Sequence, residues 1–285
     1  MNIRTIQQLV PTHATNEGAG VTVHRSIGTP ALRHLDPFLL LDHFGSSDPD
    51  EYIAGFPEHP HRGFVTFTYM LDGHLEHRDS MGNRGDLKPG GAQWMKAASG
   101  VIHSEMPQQS AGRLRSFQLW INLPAAEKMS APAYQEFTPE AIPEVIEDDL
   151  RVRVLAGEFA GRHGVIDDPH TEFIFLDITL AAAARFEYAL PELHTAFVYV
   201  FEGTAEVAAA SLASHTLAVL SPGGLVSLAA GAGGARLILV AAKPLREPIV
   251  QYGPFVMNSR EEIDQAFADY RDGRLVRLAA TMKVS

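Results

Sequence analysis

Through the middle of the chain, apolar positions fall in short runs broken by turn residues. Residues 63–71 (GFVTFTYML) are rich in Val, Thr, Phe and Tyr, which predicts a strand, and Asp72-Gly73 behind them is a hairpin signal. Further turns are marked by Gly82-Asn83, Pro89-Gly90-Gly91 and Gly100, and residues 115–123 (RSFQLWINL) predict another strand closed by Pro124. Closely spaced strands of this kind point to a β-sandwich or barrel. Residues 124–149, with several prolines and acidic side chains, predict a linker holding short helices, one of them starting at Thr138-Pro139-Glu140. The clearest helix lies near the end. Ser259 and Glu262 form a capping box, Ile263, Phe267 and Tyr270 an apolar stripe, and Gly273 a stop.

The second half repeats the first. Phe67-Thr68-Tyr69-Met70-Leu71-Asp72-Gly73 aligns with Phe197-Val198-Tyr199-Val200-Phe201-Glu202-Gly203 at an offset of 130. Leu87-Lys88-Pro89-Gly90-Gly91 aligns with Leu220-Ser221-Pro222-Gly223-Gly224 at an offset of 133, in the same order. Two β-barrel domains of one ancestry are the reading, residues 1–132 and 133–285.

Composition narrows the function classes. The chain has 285 residues, no cysteine and a net charge of -11. An acidic chain with no basic patch disfavours nucleic acid and anionic membranes, so no direct nucleic-acid or membrane partner is expected. Residues 1–12 lack a signal-peptide pattern, and no apolar run reaches the ~20 residues of a membrane span, which makes the cytoplasm the expected location. Without thiolates, any metal must be held by nitrogen and oxygen, which suits iron, manganese, nickel, copper or zinc.

Two short patterns supply such ligands. His59-Pro60-His61 and His103-Ser104-Glu105 each place two donors two residues apart, so in a strand both members leave the same face. If the two strands are neighbours, three imidazoles and a carboxylate meet at one point. Pro60 cannot donate a ladder hydrogen bond, which puts the first pair at a sheet edge or a strand entrance. The repeat offsets carry these four positions to Ala189, Pro191, Arg236 and Ile238, none a ligand, so the second domain is expected to be metal-free.

The surrounding motifs carry a resemblance. Phe56-Pro57-Glu58-His59-Pro60-His61-Arg62-Gly63-Phe64 is similar to the hallmark of the pirin family, in the cupin superfamily. So are residues 37–44 (PFLLLDHF), 77–83 (HRDSMGN), 93–95 (QWM), 100–105 (GVIHSE), 247–250 (EPIV) and 252–258 (YGPFVMN). The resemblance implies an all-β fold of two cupin-type, jelly-roll-like barrels with a C-terminal helix. It implies one Fe(II)-type site in the first barrel, on His59, His61, His103 and Glu105. It further implies flavonol 2,3-dioxygenase activity of the quercetinase kind, with a small aromatic enol and dioxygen as substrates; Glu105 is then either purely a ligand or a ligand that loosens to accept a proton. The same family resemblance equally implies an iron-dependent interaction protein with a transcriptional or metabolic partner, and a degenerate cupin that binds a small molecule is a third reading. Two departures stand out. Val65 occupies a position where pirins commonly have glutamate, and Trp94 one where general cupins have histidine.

Other side chains have assigned roles at this stage. Phe56 and Trp94 are expected as apolar cavity walls, and Phe64 as core. His77 and Asp79 share a strand face, where they either orient a ligand imidazole or, for Asp79, stabilise a turn. His43 reads as buried, His74 as exposed beside its turn and His194 as a surface or strand-end histidine. Asp42 and Arg62 are expected to pair and fix the ligand loop.

Overall fold

The structure, a computed structural model, describes residues 2–285. Nearly all strand pairing is antiparallel, and the one α-helix among the described residues is Arg260–Arg271. The chain divides into two compact units. One holds residues 14–28, 38–141 and 245–285; the other holds residues up to 13, 29–37 and 142–244. The units therefore interleave along the chain, where the sequence suggests a single cut after residue 132. Sheet pairing is the reason: the early strand Ile6–Pro11 pairs with Thr216–Leu220. The segment after residue 245, helix included, returns to the unit that carries the histidine pairs.

That first unit is a two-sheet cupin barrel. An eight-stranded sheet runs in the order His13–Glu17, Val21–Ile27, Phe38–Ser46, Leu114–Asn122, Phe64–Asp72, Ala92–Lys96, Ala133–Phe137 and Met282–Val284. A four-stranded sheet runs Phe56–His61, Val101–Pro107, Leu75–Asp79 and Arg84–Leu87. Asp72-Gly73 is thus no hairpin. The strands on either side of it lie in different sheets, and the turn carries the chain between them.

The segment after residue 123 is also more ordered than a linker. Ala133–Phe137 adds to the large sheet beside Ala92–Lys96, burying Tyr134 and Glu136 on one face. Thr138-Pro139-Glu140 opens only a single turn, closed by Ala141 N–H on the Thr138 carbonyl at 3.1 Å. Near the end, the capping box of Ser259 and Glu262 forms as the sequence predicts, and the helix buries Ile263, Ala266 and Asp269.

The second unit is a nine-stranded sheet whose interior is aliphatic, including Val152, Leu176, Val198 and Leu239. The repeat holds at both anchor points. Phe64–Asp72 and Thr195–Val207 are both central strands, and Leu87 and Leu220 each end a strand before a Pro-Gly-Gly turn. Among the described residues no helix is long and apolar enough to cross a membrane.

Candidate metal centre

The Phe56–His61 strand is the edge of the small sheet, where Pro57 and Pro60 leave no ladder bond broken. Its neighbour Val101–Pro107 sets His103 directly opposite His59. Alternation brings His61 to the same face. The ring centroids lie 4.3 Å apart for His59 and His103, 4.7 Å for His59 and His61, and 4.9 Å for His61 and His103. One nitrogen from each ring falls within 4.8 Å of the other two.

The protonation pattern suits a cation. His59 Nδ1 donates to the Pro57 carbonyl at 2.8 Å, which leaves Nε2 as a bare acceptor. His103 Nδ1 faces His77 Nδ1 at 3.4 Å, while His103 Nε2 is buried with no hydrogen-bond partner. His61 Nδ1 is buried without a partner as well. Burial holds His61 and His103 well below the usual histidine range, and neighbouring histidines push the same way. These are neutral imidazoles at pH 7, the form that binds metal. Unpartnered buried nitrogens otherwise cost free energy, so the donor set fits a metal ion.

Glu105 is on the same strand, but a register shift between His103 and Glu105 puts it opposite Phe56. Its carboxylate lies outside the three-histidine group, though it lines the same cavity. Burial pushes its carboxyl up to about 7, with the Thr68 hydroxyl opposing at 3.3 Å. Thr68 Oγ1 also lies 2.6 Å from Gln118 Oε1. A single hydroxyl proton serves one of these acceptors, and a protonated Glu105 can donate to Thr68 while Thr68 donates to Gln118.

The cavity has a volume of about 580 Å³. Phe44, Phe56 and Trp120 form apolar walls, and Arg25, Asp42 and Gln118 are polar lining.

The fold and site can now be set beside known proteins. A pirin family model matches residues 20–121, and a model described as the pirin C-terminal cupin domain matches residues 175–276. The chain belongs to the pirin family. A Caulobacter vibrioides pirin-like protein is 42% identical over 276 residues, covering 96% of this chain and 100% of that one. A Pseudomonas aeruginosa pirin relative, whose name proposes a quercetin 2,3-dioxygenase, is 50% identical over 280 residues, covering 95% and 98%. The crystal structure of a quercetin 2,3-dioxygenase from Acinetobacter baumannii superposes with a TM-score of 0.90 at 33% identity, covering 96% and 99%.

Within this pirin frame, several sequence expectations change. Leu40, Asp42, Thr68, Gln118 and Trp120 line the cavity from alternate positions of three adjacent strands. Val65 and Phe67 therefore point to the opposite face, and Trp94 stands across from Phe67 with ring centroids 6.3 Å apart. Trp94 is not a cavity wall. Trp120 takes that place, 5.1 Å from the His61 ring. By the same parity, valine at position 65 removes nothing from the cavity. Phe64 is core, as expected, fully buried against Trp120.

Asp42 and Arg62 do not pair. Asp42 is bound by Arg25, while Arg62 reaches Asp269 on the helix at 2.9 Å. Gly63, next to Arg62, has φ +91 and packs so closely that a Cβ would fall 1.9 Å from the Val256 carbonyl. His77 packs on His103, but Asp79 serves its turn, accepting from the Met81 and Asn83 backbone at 2.8 and 2.9 Å. His43 is buried and stacks on Phe117. His74 is half-buried and pairs with Asp86. His194 is buried rather than superficial, 3.2 Å from Glu172.

Arg25, Thr68, Gln118 and Trp120 went unnoticed in the sequence. Their signal was parity: each sits at an inward position of a strand whose other residues read as ordinary core.

Proposed function

We propose that this pirin is a flavonol 2,3-dioxygenase with a single Fe(II) held by His59, His61, His103 and Glu105. The observation that carries the reading is the convergence of three neutral, partner-poor imidazoles beside a cavity of about 580 Å³. That volume is within the range of small-molecule sites, ~300–1,000 Å³. The name of the Pseudomonas relative and the Acinetobacter structure support it.

Bound Fe(II) would supply a Lewis acid for an ionised enol oxygen and a redox centre for dioxygen. The residues of the chain do the rest. Glu105 is poised to take the enol proton at its carboxylate, and Thr68 with Gln118 holds that carboxyl in place. Trp120, Phe56 and Phe44 present flat apolar surfaces to the substrate rings and exclude water. His77 backs the His103 ring and fixes its orientation.

The test is an aerobic assay of iron-loaded protein with quercetin beside Glu105→Ala. Loss of quercetin absorbance with release of carbon monoxide is expected, falling by roughly 10²-fold or more in the variant. No loss beyond that given by free iron would refute the dioxygenase reading.

A further inference from the structure

The cavity also contains a charged triad that the chemistry above does not use. Arg25 is bound in bidentate fashion by Asp42, Nε to Oδ1 at 2.8 Å and Nη2 to Oδ2 at 2.6 Å. Its remaining nitrogen, Nη1, meets Glu17 Oε1 at 2.8 Å. All three residues line the cavity. Their exposures differ: the Asp42 side chain is 8% exposed, Arg25 18% and Glu17 38%. Asp42 is thus the fixed anchor that aims the guanidinium, and Glu17 is the partner that water or a ligand can reach.

Glu17 is held there by a built turn. Gly18 has φ +57, and a Cβ on it would fall 2.5 Å from the Gly55 carbonyl and 2.7 Å from the Phe56 ring. The Ala19 N–H then bonds the Gly55 carbonyl at 3.0 Å. Only glycine fits at 18, so Glu17 is fixed beside the Phe56 wall rather than swinging free.

The lining also constrains the charge of a ligand. Glu17, Asp42, Glu58 and Glu105 bring four carboxyl groups, and among the described residues Arg25 is the one guanidinium or ammonium group against them. A carboxylate-bearing ligand would meet like charge and has no proton to donate to Glu17. A hydroxyl group fares differently. It can donate to Glu17 and accept from Arg25 at once, which a carboxylate cannot do.

We propose that Glu17 and Arg25 form the specificity-determining subsite for the hydroxyl groups on the ring of the substrate remote from the metal. The pair selects a neutral phenol or catechol ring and rejects acidic analogues. This rests on the dioxygenase reading for the orientation of the substrate, with its enol at the histidines. The subsite itself is read by binding alone.

The test is calorimetric binding to the metal-loaded, oxygen-free protein of three flavonols that differ only in remote-ring hydroxyls: quercetin with two, kaempferol with one, galangin with none. Wild type is expected to bind quercetin about tenfold more tightly than galangin, with kaempferol between. In Glu17→Ala the three should converge to within about twofold, and Glu17→Gln should recover part of the difference. A quercetin analogue carrying a ring carboxylate in place of the hydroxyls should bind more weakly than galangin. Equal binding of the three by wild type, or no binding of any below ~1 mM, overturns the subsite. Graded binding without turnover would sustain the subsite while refuting the dioxygenase reading.

Discussion

Replacing Asp269 by alanine should loosen the metal loop from a distance. Asp269 is on the C-terminal helix, fully buried, and accepts from Arg62 Nη1 at 2.9 Å, from Gln265 at 2.9 Å and from Arg277 Nη2 at 2.5 Å. Arg62 follows His61 directly and is 1% exposed. Without Asp269, Arg62 keeps only two neutral acceptors, the Ser99 carbonyl at 2.7 Å and the Leu275 carbonyl at 3.3 Å. Breaking one side of a buried ion pair costs about 3–5 kcal/mol, and the two remaining bonds put the loss near the lower end, about 3. For a unit of this size that is roughly 6–12 °C in melting temperature. Fe(II) affinity should fall with it, because the loop carrying His61 loses its tether. Scanning calorimetry of the metal-free protein, followed by metal titration, measures both. The double variant Arg62→Met with Asp269→Leu removes both buried charges, leaves the half-exposed Arg277 to water and should recover most of the stability. A shift below ~2 °C for Asp269→Ala, or a double variant less stable than the single one, would refute the reasoning.

The carboxyl of Glu105 gives the metal-free protein a pH signature. Burial raises it from 4.5 to about 7, so the folded state keeps a proton that the unfolded chain has lost. Its stabilising contribution is full below pH 4.5 and is lost as the pH rises through about 7. Glu105→Gln cannot ionise, so across that window it should gain about 3 kcal/mol relative to wild type in denaturant titrations; parallel curves would contradict this. Trp120→Leu should weaken quercetin binding roughly tenfold by removing the aromatic wall, whereas Trp94→Leu should leave the affinity within about twofold. Val65→Glu should leave Fe(II) affinity unchanged while lowering stability by roughly 3 kcal/mol, since it buries an unpaired carboxyl on the face opposite the cavity. A gain in metal affinity in that variant would show that the parity assignment is wrong.

What the sequence could reveal depended on distance along the chain. The HxH pair was legible because two-residue spacing on a strand is a local property, whereas the register shift between His103 and Glu105 is set by pairing with the neighbouring strand and left no local trace. The capping box of Ser259 and Glu262 was legible for the same reason. Which tryptophan faces the cavity was not, because strand parity is set by sheet pairing. Trp120 and Trp94 lie in strands of similar composition, and only the register against Thr66 and Phe67 separates them. The partner of Arg62 is 207 residues away, so the nearer Asp42 looked the better choice. Arg25 continued the inward alternation of Val21 and Val23, a charged residue in an apolar series, which is the kind of local conflict that marks functional sites. The domain cut failed to appear as a single point because the terminal segments pair with strands remote in sequence.

The proposed function rests on one metal per chain, held by the histidine cluster of the first cupin unit. Elemental analysis after anaerobic loading with Fe(II) and removal of excess metal tests it most directly. One equivalent per chain is expected in wild type and less than a tenth of that in His103→Ala. Two equivalents in wild type, or a full equivalent retained in His103→Ala, would contradict it.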